Sequence, residues 1–156
     1  MNIPPLVQLA LCMVIASLLA AFIPLATFDT PAVLVAATAT IGAVFLLPAV
    51  MSFLLHKTTV NPTSPEMATT LVTNGIYSIT RNPMYVGMLI ILMAFALWLG
   101  ALSAVLMAAL FFMTIDRFQI RGEERALAQT FGKPFEDYAA RVPRWLFIRS
   151  KAALQD

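Results

Sequence analysis

Long uninterrupted runs of apolar residues dominate the pattern along this chain. Three stretches contain no Asp, Glu, Lys or Arg, namely residues 1–28, 30–56 and 82–115. A helix that crosses a membrane needs about 20 apolar residues, with a lower limit near 17. The first two stretches therefore predict one membrane-spanning helix each, at residues 6–28 and 32–55. Pro24 and Pro48 fall inside these predicted spans, where neighbouring helices can satisfy the carbonyls that a proline frees, so we interpret both as kinks.

The third stretch is too long for a single span. Residues 82–115 would extend about 51 Å as one helix, against a bilayer core of about 30 Å. The sequence around Gly100 is the one suitable break, and it predicts a tight hairpin of two short spans, 84–99 and 102–115. The total is four spans.

The C-terminal part changes character abruptly. Residues 116–156 carry eight basic and six acidic side chains. Residues 117–131 read as a helix that Gly132 stops, and a shorter helix, 134–142, precedes Pro143.

Aromatic and basic residues alternate after the shorter helix. Trp145 and Phe147 stand among three basic side chains, those of Arg144, Arg149 and Lys151. This mixture predicts anchoring at the membrane interface against anionic lipid head groups.

The basic residues also predict orientation. The turns at Asp29 and Gly100 contain no Lys or Arg, whereas all ten such residues follow the second or fourth span. The positive-inside rule makes that side cytoplasmic, with both termini inside, as in a protein of the bacterial inner membrane. The alternative that the first stretch is a signal peptide is disfavoured, since it has no basic n-region.

Composition supports the membrane class and excludes others. Of 156 residues, 60% are apolar and 12% charged, against about 45–50% and about 25% in soluble domains. The single Cys12 and single His56 provide neither a disulfide nor a metal cluster, and a net charge of +2 does not indicate nucleic acid binding. No predicted span holds an ionisable residue, which argues against a pump or ion channel. The fold class is all-α integral membrane, with residues 1–156 as one domain.

Polar chemistry must therefore lie at the cytoplasmic border, where the loop 56–83 meets the helix that begins near Asp116. The hairpin brings the two together, because one pair of spans carries Arg81 at its start and Asp116 at its end. The residues expected to approach one another are Arg81, Asn82 and Tyr85 on one side and Arg117, Arg121, Glu123 and Glu124 on the other.

Each of these residues also has a purely structural interpretation. Arg81 can be a flanking residue that fixes orientation, and Asn82-Pro83 can be an ordinary helix start. Glu123 and Glu124 can form a solvated helix face, with Arg117 and Arg121 on the same helix as surface partners.

Taken together, two sequence blocks resemble a known superfamily. They are TTVNPTSPEMATTLVTNGIYSITRNPMYVG and RGEERALAQTFGKPFEDYAARVPRW. They are similar to the isoprenylcysteine carboxyl methyltransferase and phospholipid methyltransferase superfamily, especially its small bacterial members, over residues 57–146. The Arg-His-Pro-x-Tyr-x-Gly motif of that superfamily maps onto Arg81, Asn82, Pro83, Tyr85 and Gly87. Its paired glutamates map onto Glu123 and Glu124, and its following Phe-Gly and Tyr onto Phe131, Gly132 and Tyr138.

The resemblance implies S-adenosylmethionine bound at the cytoplasmic surface and methyl transfer to a lipophilic acceptor, with membrane lipids as further partners. The implied cofactor-binding residues are Arg81, Asn82, Pro83, Tyr85, Gly87, Glu123 and Glu124. A glutamate can pair the cofactor ammonium, and Arg81 or a helix N-terminus can bind its carboxylate. Asn82 stands where many relatives have a histidine. Its amide can donate and accept hydrogen bonds, but unlike histidine it cannot become charged. The chain has no Gly-x-Gly, so a Rossmann-type methyltransferase or nicotinamide site is unsupported.

The acceptor stays open at this stage. A carboxylate is already anionic at neutral pH, whereas a phospholipid amine must lose a proton to a base, and a thiol is also compatible. The candidate catalytic residues are Glu123 and Arg144, the latter as a guanidinium that orients an anionic or strongly polar acceptor, with Arg117 or Arg121 as less favoured alternatives. The alternatives are a phospholipid N-methyltransferase and a non-catalytic four-helix membrane protein, with a membrane reductase less favoured.

Overall fold

The computed structural model describes residues 4–55 and 70–146. The secondary-structure elements in that part of the chain are all helices. The six α-helices are α1 (Pro5–Phe22), α2 (Ala32–Leu55), α3 (Pro83–Leu99), α4 (Leu102–Thr114), α5 (Arg121–Phe131) and α6 (Lys133–Arg141). A 3₁₀-helical turn, Gly75–Ser78, precedes α3, and a π-helical turn, Ile115–Ile120, joins α4 to α5. The all-helical class predicted from the sequence is confirmed.

The predicted hairpin is present, with its turn at Gly100. This residue adopts a left-handed conformation, φ 62° and ψ 31°, and its N–H bonds to the carbonyls of Ala96 and Leu97 at 3.1 and 3.2 Å. A side chain here would collide with the carbonyl of Phe28, so glycine suits both the backbone angle and the space. The sequence reasoning located both helix ends to within one residue.

The first span is shorter than the sequence suggested, and Pro24 is not a kink inside it. Helix α1 ends at Phe22, because the residue before a proline is forced out of helical geometry, and Ile23 has φ −141° and ψ 64°. The chain then runs beside the hairpin turn, with Phe28 N–H bonded to Gly100 O and Leu102 N–H to Ala26 O, both at 2.9 Å. These bonds satisfy backbone groups that a longer helix would have satisfied internally.

Helix α2 matches its predicted bounds and contains Pro48, as expected. It approaches α3 very closely where two glycines face each other. A Cβ atom built on Gly87 would lie 2.8 Å from Leu46 Cβ and 2.9 Å from Gly42 O. The two backbones can touch here because neither glycine has a side chain.

The sequence suggested a separate C-terminal helix that begins at Arg117, but the structure has no break there. Helix α4, the π-helical turn and α5 form one continuous run, Leu102–Phe131. Gly132, with φ 56°, ends the run where the sequence predicted, and α6 follows directly. A π-helical turn widens the helix by one residue per turn and commonly occurs at functional sites.

Among the described residues, three helices are long and apolar enough to cross a membrane, and α3 is a shorter apolar helix of 17 residues. The three are Pro5–Phe22, Ala32–Ser52 and Leu102–Phe131. Large apolar side chains such as Phe22 and Val33 are 79% and 76% exposed on the outer faces of α1 and α2. Such outward apolar surface is suited to lipid, so the molecule is a membrane protein.

The core lies along α3, whose side chains pack against the other three apolar helices. Met88 and Leu92 of α3 are completely buried against Phe111 of α4 and Ile115 of the π-helical turn. This packing fixes the start of α3 against the end of α4, and hence the position of every polar residue discussed below.

Candidate active site

The start of α3 and the beginning of α5 meet at one end of the bundle, as the sequence predicted. Arg81, immediately before α3, contacts Glu124 at 2.7 Å. One turn further along, the Tyr85 hydroxyl donates to Glu123 Oε1 at 2.6 Å. Two residues of the first sequence block therefore pair with the two adjacent glutamates of the second.

Arg81 is buried, and each edge of its guanidinium is used. Nε and Nη2 donate to Glu124 Oε1 at 3.0 and 2.7 Å, while Nη1 donates to the carbonyls of Ala139 and Val142 at 2.8 and 2.7 Å. This side chain ties the start of α3 to α5, to α6 and to the chain that follows. It is more than a flanking residue that sets orientation.

Glu124 is held from the other side by Arg144. The Arg144 Nε donates to Glu124 Oε2 at 3.1 Å, Nη2 contacts the same oxygen, and Nη1 lies 3.5 Å from Asp116 Oδ1. Because only 5% of Glu124 is exposed, the interpretation as a solvated helix face is wrong for this residue. Arg121 pairs instead with Asp116, at 3.6 Å.

These four residues form a charge-balanced group, which we call the ion-pair cluster: Arg81, Arg144, Asp116 and Glu124. Two positive and two negative charges share hydrogen bonds in a poorly solvated place, which is the condition under which buried ions are tolerated. In this structure all three guanidinium nitrogens of Arg144 contact Glu124 or Asp116, and these contacts hold the segment after α6 in place.

Backbone bonds strengthen the same attachment. The Thr80 hydroxyl and the Asn82 side-chain amide donate to the carbonyl of Arg144 at 2.8 and 3.2 Å, and Arg81 N–H donates to Pro143 O at 2.9 Å. Asn82 is the N-cap residue of α3 and Pro83 the first helical residue, as the helix-start interpretation has it, but the Asn82 side chain makes no capping bond. Its amide is used for a tertiary contact instead.

Trp145 is buried inside the protein, with 5% of the residue exposed. Its indole Nε1 donates to Asp116 Oδ1 at 2.9 Å, and its ring contacts that of Phe112 at a centroid distance of 4.8 Å. The prediction that Trp145 is an interfacial anchor is wrong, because a partner for the indole N–H is available inside the protein. Phe147, Arg149 and Lys151 lie outside the described residues.

Pro83 and Gly87 have structural surroundings. Pro83 is the first residue of α3, as its lack of an N–H favours, and is completely buried. Gly87 faces α2 at the close helix contact. These two of the seven predicted cofactor-binding residues therefore have structural contacts: Pro83 at the buried start of α3, and Gly87 against α2.

Glu123 differs from its neighbour because it has no basic partner among the residues that the structure describes. Its Oε1 accepts hydrogen bonds from the Tyr85 hydroxyl and from Gln119 Nε2, at 2.6 and 2.8 Å. Burial raises the pKa of this carboxyl to about 7, and the charge of Glu124 adds to the rise, although both hydrogen bonds favour the ionised form. It is therefore a carboxylate that titrates near neutrality.

Sequence reasoning missed Gln119 as a participant and used Asp116 only as a helix start. Both lie in the π-helical turn, and Gln119 is 6% exposed. The spacing of four residues between Gln119 and Glu123 was a usable signal, since such residues are neighbours on a helix.

Comparison with known protein families identifies the family of this chain. The family model described as phospholipid methyltransferase matches residues 31–134. This range includes the whole of the first sequence block and the second block as far as Pro134. The chain belongs to the phospholipid methyltransferase family. It is a membrane methyltransferase of the superfamily that also includes the isoprenylcysteine enzymes, as the resemblance implied.

Two relatives show shorter similarity. A Haemophilus influenzae protein described as uncharacterized is 43% identical over 63 residues, which are 40% of this chain and the whole of that protein. The protein-S-isoprenylcysteine O-methyltransferase of Schizosaccharomyces pombe is 36% identical over 73 residues, 47% of this chain and 31% of the yeast enzyme. The chain thus matches about a third of the yeast enzyme's length. No solved structure matches.

Proposed function

We propose that this methyltransferase binds S-adenosylmethionine at the cytoplasmic surface of the membrane and methylates a lipophilic acceptor. The observation that carries the proposal is Glu123, a half-buried carboxylate that Tyr85 and Gln119 hold in place and that has no basic partner within residues 4–55 and 70–146. The cofactor has a cationic amino-acid end, and such a carboxylate is a suitable partner for it. When bound, the cofactor supplies an electrophilic methyl group.

The residues of the chain fit that cofactor in two groups. Glu123 and Tyr85 are the residues we expect to bind it directly, because Glu123 has an unshared oxygen and Tyr85 orients it. Arg81, Asn82 and Glu124 are committed to one another and to the segment after α6, so they shape and stiffen the wall of the site. Pro83 and Gly87 contribute by fixing the start and position of α3.

The acceptor class is the open part of the function. An anionic carboxylate needs orientation only, whereas a lipid amine must lose a proton before it can attack. For such an acceptor Glu123, with a pKa of about 7, would serve as the base that takes the proton, in place of pairing the cofactor ammonium. This property, with the family to which the chain belongs, favours phospholipid N-methylation as a second candidate function.

We further propose four membrane spans, with α3 as the short fourth one and the membrane part of the long helix ending before Asp116. The ends of α2 and α4 and the start of α3 then share one side with the basic residues. That side is cytoplasmic by the positive-inside rule, as in a bacterial inner membrane. Residues 1–156 form one domain in this proposal, and residues 56–69 of the loop 56–83 lie outside the described residues.

Binding of S-adenosylhomocysteine, the demethylated cofactor, tests the proposal. Isothermal titration of the purified full-length protein in detergent should show micromolar or tighter affinity. Glu123→Gln should abolish the binding, while Glu136→Gln, on the exposed face of α6, should leave it unchanged. Absence of heat and of any thermal shift with the wild type would favour the non-catalytic membrane protein instead.

Methyl transfer then separates the acceptors. Labelled S-adenosylmethionine is incubated with the enzyme in vesicles that contain phosphatidylethanolamine or a lipophilic carboxylate or thiol. Label that appears only in the phosphatidylethanolamine vesicles assigns the second candidate function, whereas label in the carboxylate or thiol supports the first.

A further inference from the structure

Gln119 carries a buried polar atom that the protein does not use. Its side-chain Nε2 donates to Glu123 Oε1 at 2.8 Å, while its Oε1 has no hydrogen-bond partner. Reversing the amide would place its oxygen against Glu123 Oε1, so that two acceptors would face each other. The orientation is thus fixed by Glu123, and the amide oxygen is the atom left over.

Glu123 presents a second unused acceptor beside it. Both hydrogen bonds that this carboxylate accepts from described residues, Tyr85 and Gln119, end on Oε1. Oε2 has no donor among the residues that the structure describes. The two unused oxygens are therefore Oε1 of the Gln119 amide and Oε2 of the Glu123 carboxylate. The 2.8 Å hydrogen bond joins these two groups, which lie one turn apart on the same continuous helix.

We propose that Gln119 and Glu123 form a subsite for a primary ammonium group, with Gln119 Oε1 and Glu123 Oε2 as its acceptors. The inference rests on the proposed function and names a residue that the two sequence blocks do not include. A primary ammonium offers three N–H donors and a positive charge, which match one neutral and one anionic acceptor.

A metal ion fits these atoms less well. Calcium takes six to eight oxygen ligands, and magnesium requires an octahedral set. Within the described ranges, 4–55 and 70–146, no group of three His, Cys, Asp or Glu residues is placed to hold a metal. Two acceptors on side chains that are hydrogen-bonded to each other suit a small hydrogen-bond donor instead.

Two ligands of this enzyme class carry such a group. One is the amino-acid end of the cofactor, and the other is the head group of phosphatidylethanolamine. Three variants distinguish them: Gln119→Met, which removes both the donor and the acceptor at similar length; Gln119→Glu, which removes only the donor; and Gln129→Met, a control on the exposed side of α5.

The first measurement is titration with S-adenosylhomocysteine and with its analogue that lacks the α-amino group. If the cofactor occupies the subsite, Gln119→Met binds S-adenosylhomocysteine about tenfold or more weakly, as expected for a lost hydrogen bond to a charged group. It binds the deaminated analogue as the wild type does. Gln129→Met binds both ligands normally.

The second measurement is methyl transfer to phosphatidylethanolamine in vesicles. If the head group occupies the subsite, S-adenosylhomocysteine affinity is unchanged, and the KM for the lipid rises about tenfold or more in Gln119→Met. Either pattern supports the subsite and assigns its occupant.

Ligand affinity and KM, rather than thermal unfolding alone, separate ligand binding from a structural role. Gln119→Met removes the unpartnered acceptor and also the donor to Glu123, so a lower melting temperature is expected in either case. A purely structural glutamine would lower the melting temperature and leave ligand affinity and KM unchanged, and that result would overturn the inference.

Gln119→Glu provides an independent measurement that does not depend on the methionine variant. It keeps an acceptor but replaces the hydrogen-bond donor of Glu123 with a second acid, so ionisation of Glu123 becomes harder. The other groups near Glu123 are the hydroxyls of Tyr85 and Tyr77 and the carboxylate of Glu124, which is paired within the ion-pair cluster. The pH of half-maximal ligand affinity should therefore rise.

Unshifted pH dependence in Gln119→Glu, with wild-type affinity and KM in Gln119→Met, would reject the subsite while leaving the proposed function intact. Failure of the wild type to bind S-adenosylhomocysteine would be a different result, since it would remove the proposed function and this inference together.

Discussion

Arg81 and Glu124 form a buried ion pair in which two donors of the guanidinium, Nε at 3.0 Å and Nη2 at 2.7 Å, meet the same carboxylate oxygen. The second oxygen of Glu124 is taken by Arg144. The two adjacent glutamates therefore have different roles, because Glu124 is neutralised by arginines, whereas Glu123 has no basic partner in the described part of the chain.

This difference predicts opposite behaviour of matched variants. Glu124→Gln leaves two buried guanidinium groups with a single carboxylate, that of Asp116, so we expect the free energy of unfolding to fall by about 3–5 kcal/mol. Glu123→Gln removes a carboxylate without a basic partner, so we expect stability near that of the wild type and loss of S-adenosylhomocysteine binding. Chemical unfolding in detergent and titration measure the two effects.

The control for this pair is Glu136→Gln, which should change stability by less than about 0.5 kcal/mol. Equal stability of Glu124→Gln and wild type would contradict the role assigned to the ion-pair cluster.

Ligand affinity should depend on pH through Glu123. Its pKa is raised from an ordinary value of about 4.3 to about 7, so the carboxyl is largely protonated below neutrality. Affinity for a ligand that carries an ammonium group should increase as the pH rises through about 7. Titration of S-adenosylhomocysteine from pH 5.5 to 8 measures this increase, and a flat profile for the wild type would exclude Glu123 as the ammonium partner.

The raised pKa of Glu123 affects the stability of the fold in the opposite direction: stability falls as the pH rises, whereas ligand affinity increases. Because the folded state binds the proton of Glu123 more tightly than the unfolded state, its contribution is fully present below about pH 4.3 and is lost as the pH rises through about 7. Glu123→Gln should remove this part of the pH dependence, so the stability of the variant relative to the wild type should improve between pH 5 and 8.

Much of the fold was readable because membrane helices obey simple length and charge rules. The hairpin at Gly100 followed from a run of uncharged residues too long for one span, and the ends of α3 followed from Pro83 and Gly100. The end of α1 was missed by six residues because we treated Pro24 as a tolerated kink. The free carbonyls and N–H groups of the hairpin turn gave the chain another partner there.

The site was predicted at the level of which segments meet, but not of which atoms pair. The contacts of Arg81 with Glu124 and of Tyr85 with Glu123 follow from the hairpin. The contribution of Arg144, Trp145 and Gln119 depends on the π-helical turn, whose extra residue changes which side chains face inward. No composition or periodicity rule announces such a turn in advance.

The close contact between α2 and α3 predicts the effect of two glycine substitutions. Gly87→Ala would place a methyl group 2.8 Å from the backbone nitrogen of Leu46, so we expect destabilisation of about 1–3 kcal/mol from overpacking. Gly122→Ala, in α5 with open space around it, should stabilise by about 0.5–1 kcal/mol. Thermal unfolding of the two variants in the same detergent measures the contrast, and similar shifts for both would contradict the contact.

Topology can be tested with single cysteines in a Cys12→Ser background. Positions 29 and 102, near the turns at the far end, should react with a membrane-impermeant reagent from outside intact cells. Positions 78 and 133, at the site end, should react only after the membrane is opened. These four residues are exposed in the structure. Reaction of the first pair from the cytoplasm alone would reverse the proposed orientation.

The last prediction concerns Arg144 and decides between an acceptor-binding role and a structural one. Its guanidinium contacts Glu124 through Nε and Nη2 and approaches Asp116 through Nη1. A lysine ammonium cannot reproduce this fork, so Arg144→Lys should lower the free energy of unfolding by about 1.5–3 kcal/mol. Arg125→Lys, on the exposed side of α5, is the matched control.

Kinetics add the second half of the test. If Arg144 leaves Asp116 to orient an anionic acceptor, Arg144→Lys should raise the KM for that acceptor while S-adenosylhomocysteine affinity stays constant. If it serves only the ion-pair cluster, stability should fall and the KM should not change at a temperature where the variant is folded. Because every strong donor of Arg144 already has an internal partner, we expect the second pattern with neutral acceptors. A raised KM confined to carboxylate acceptors would instead assign Arg144 a direct part in acceptor selection.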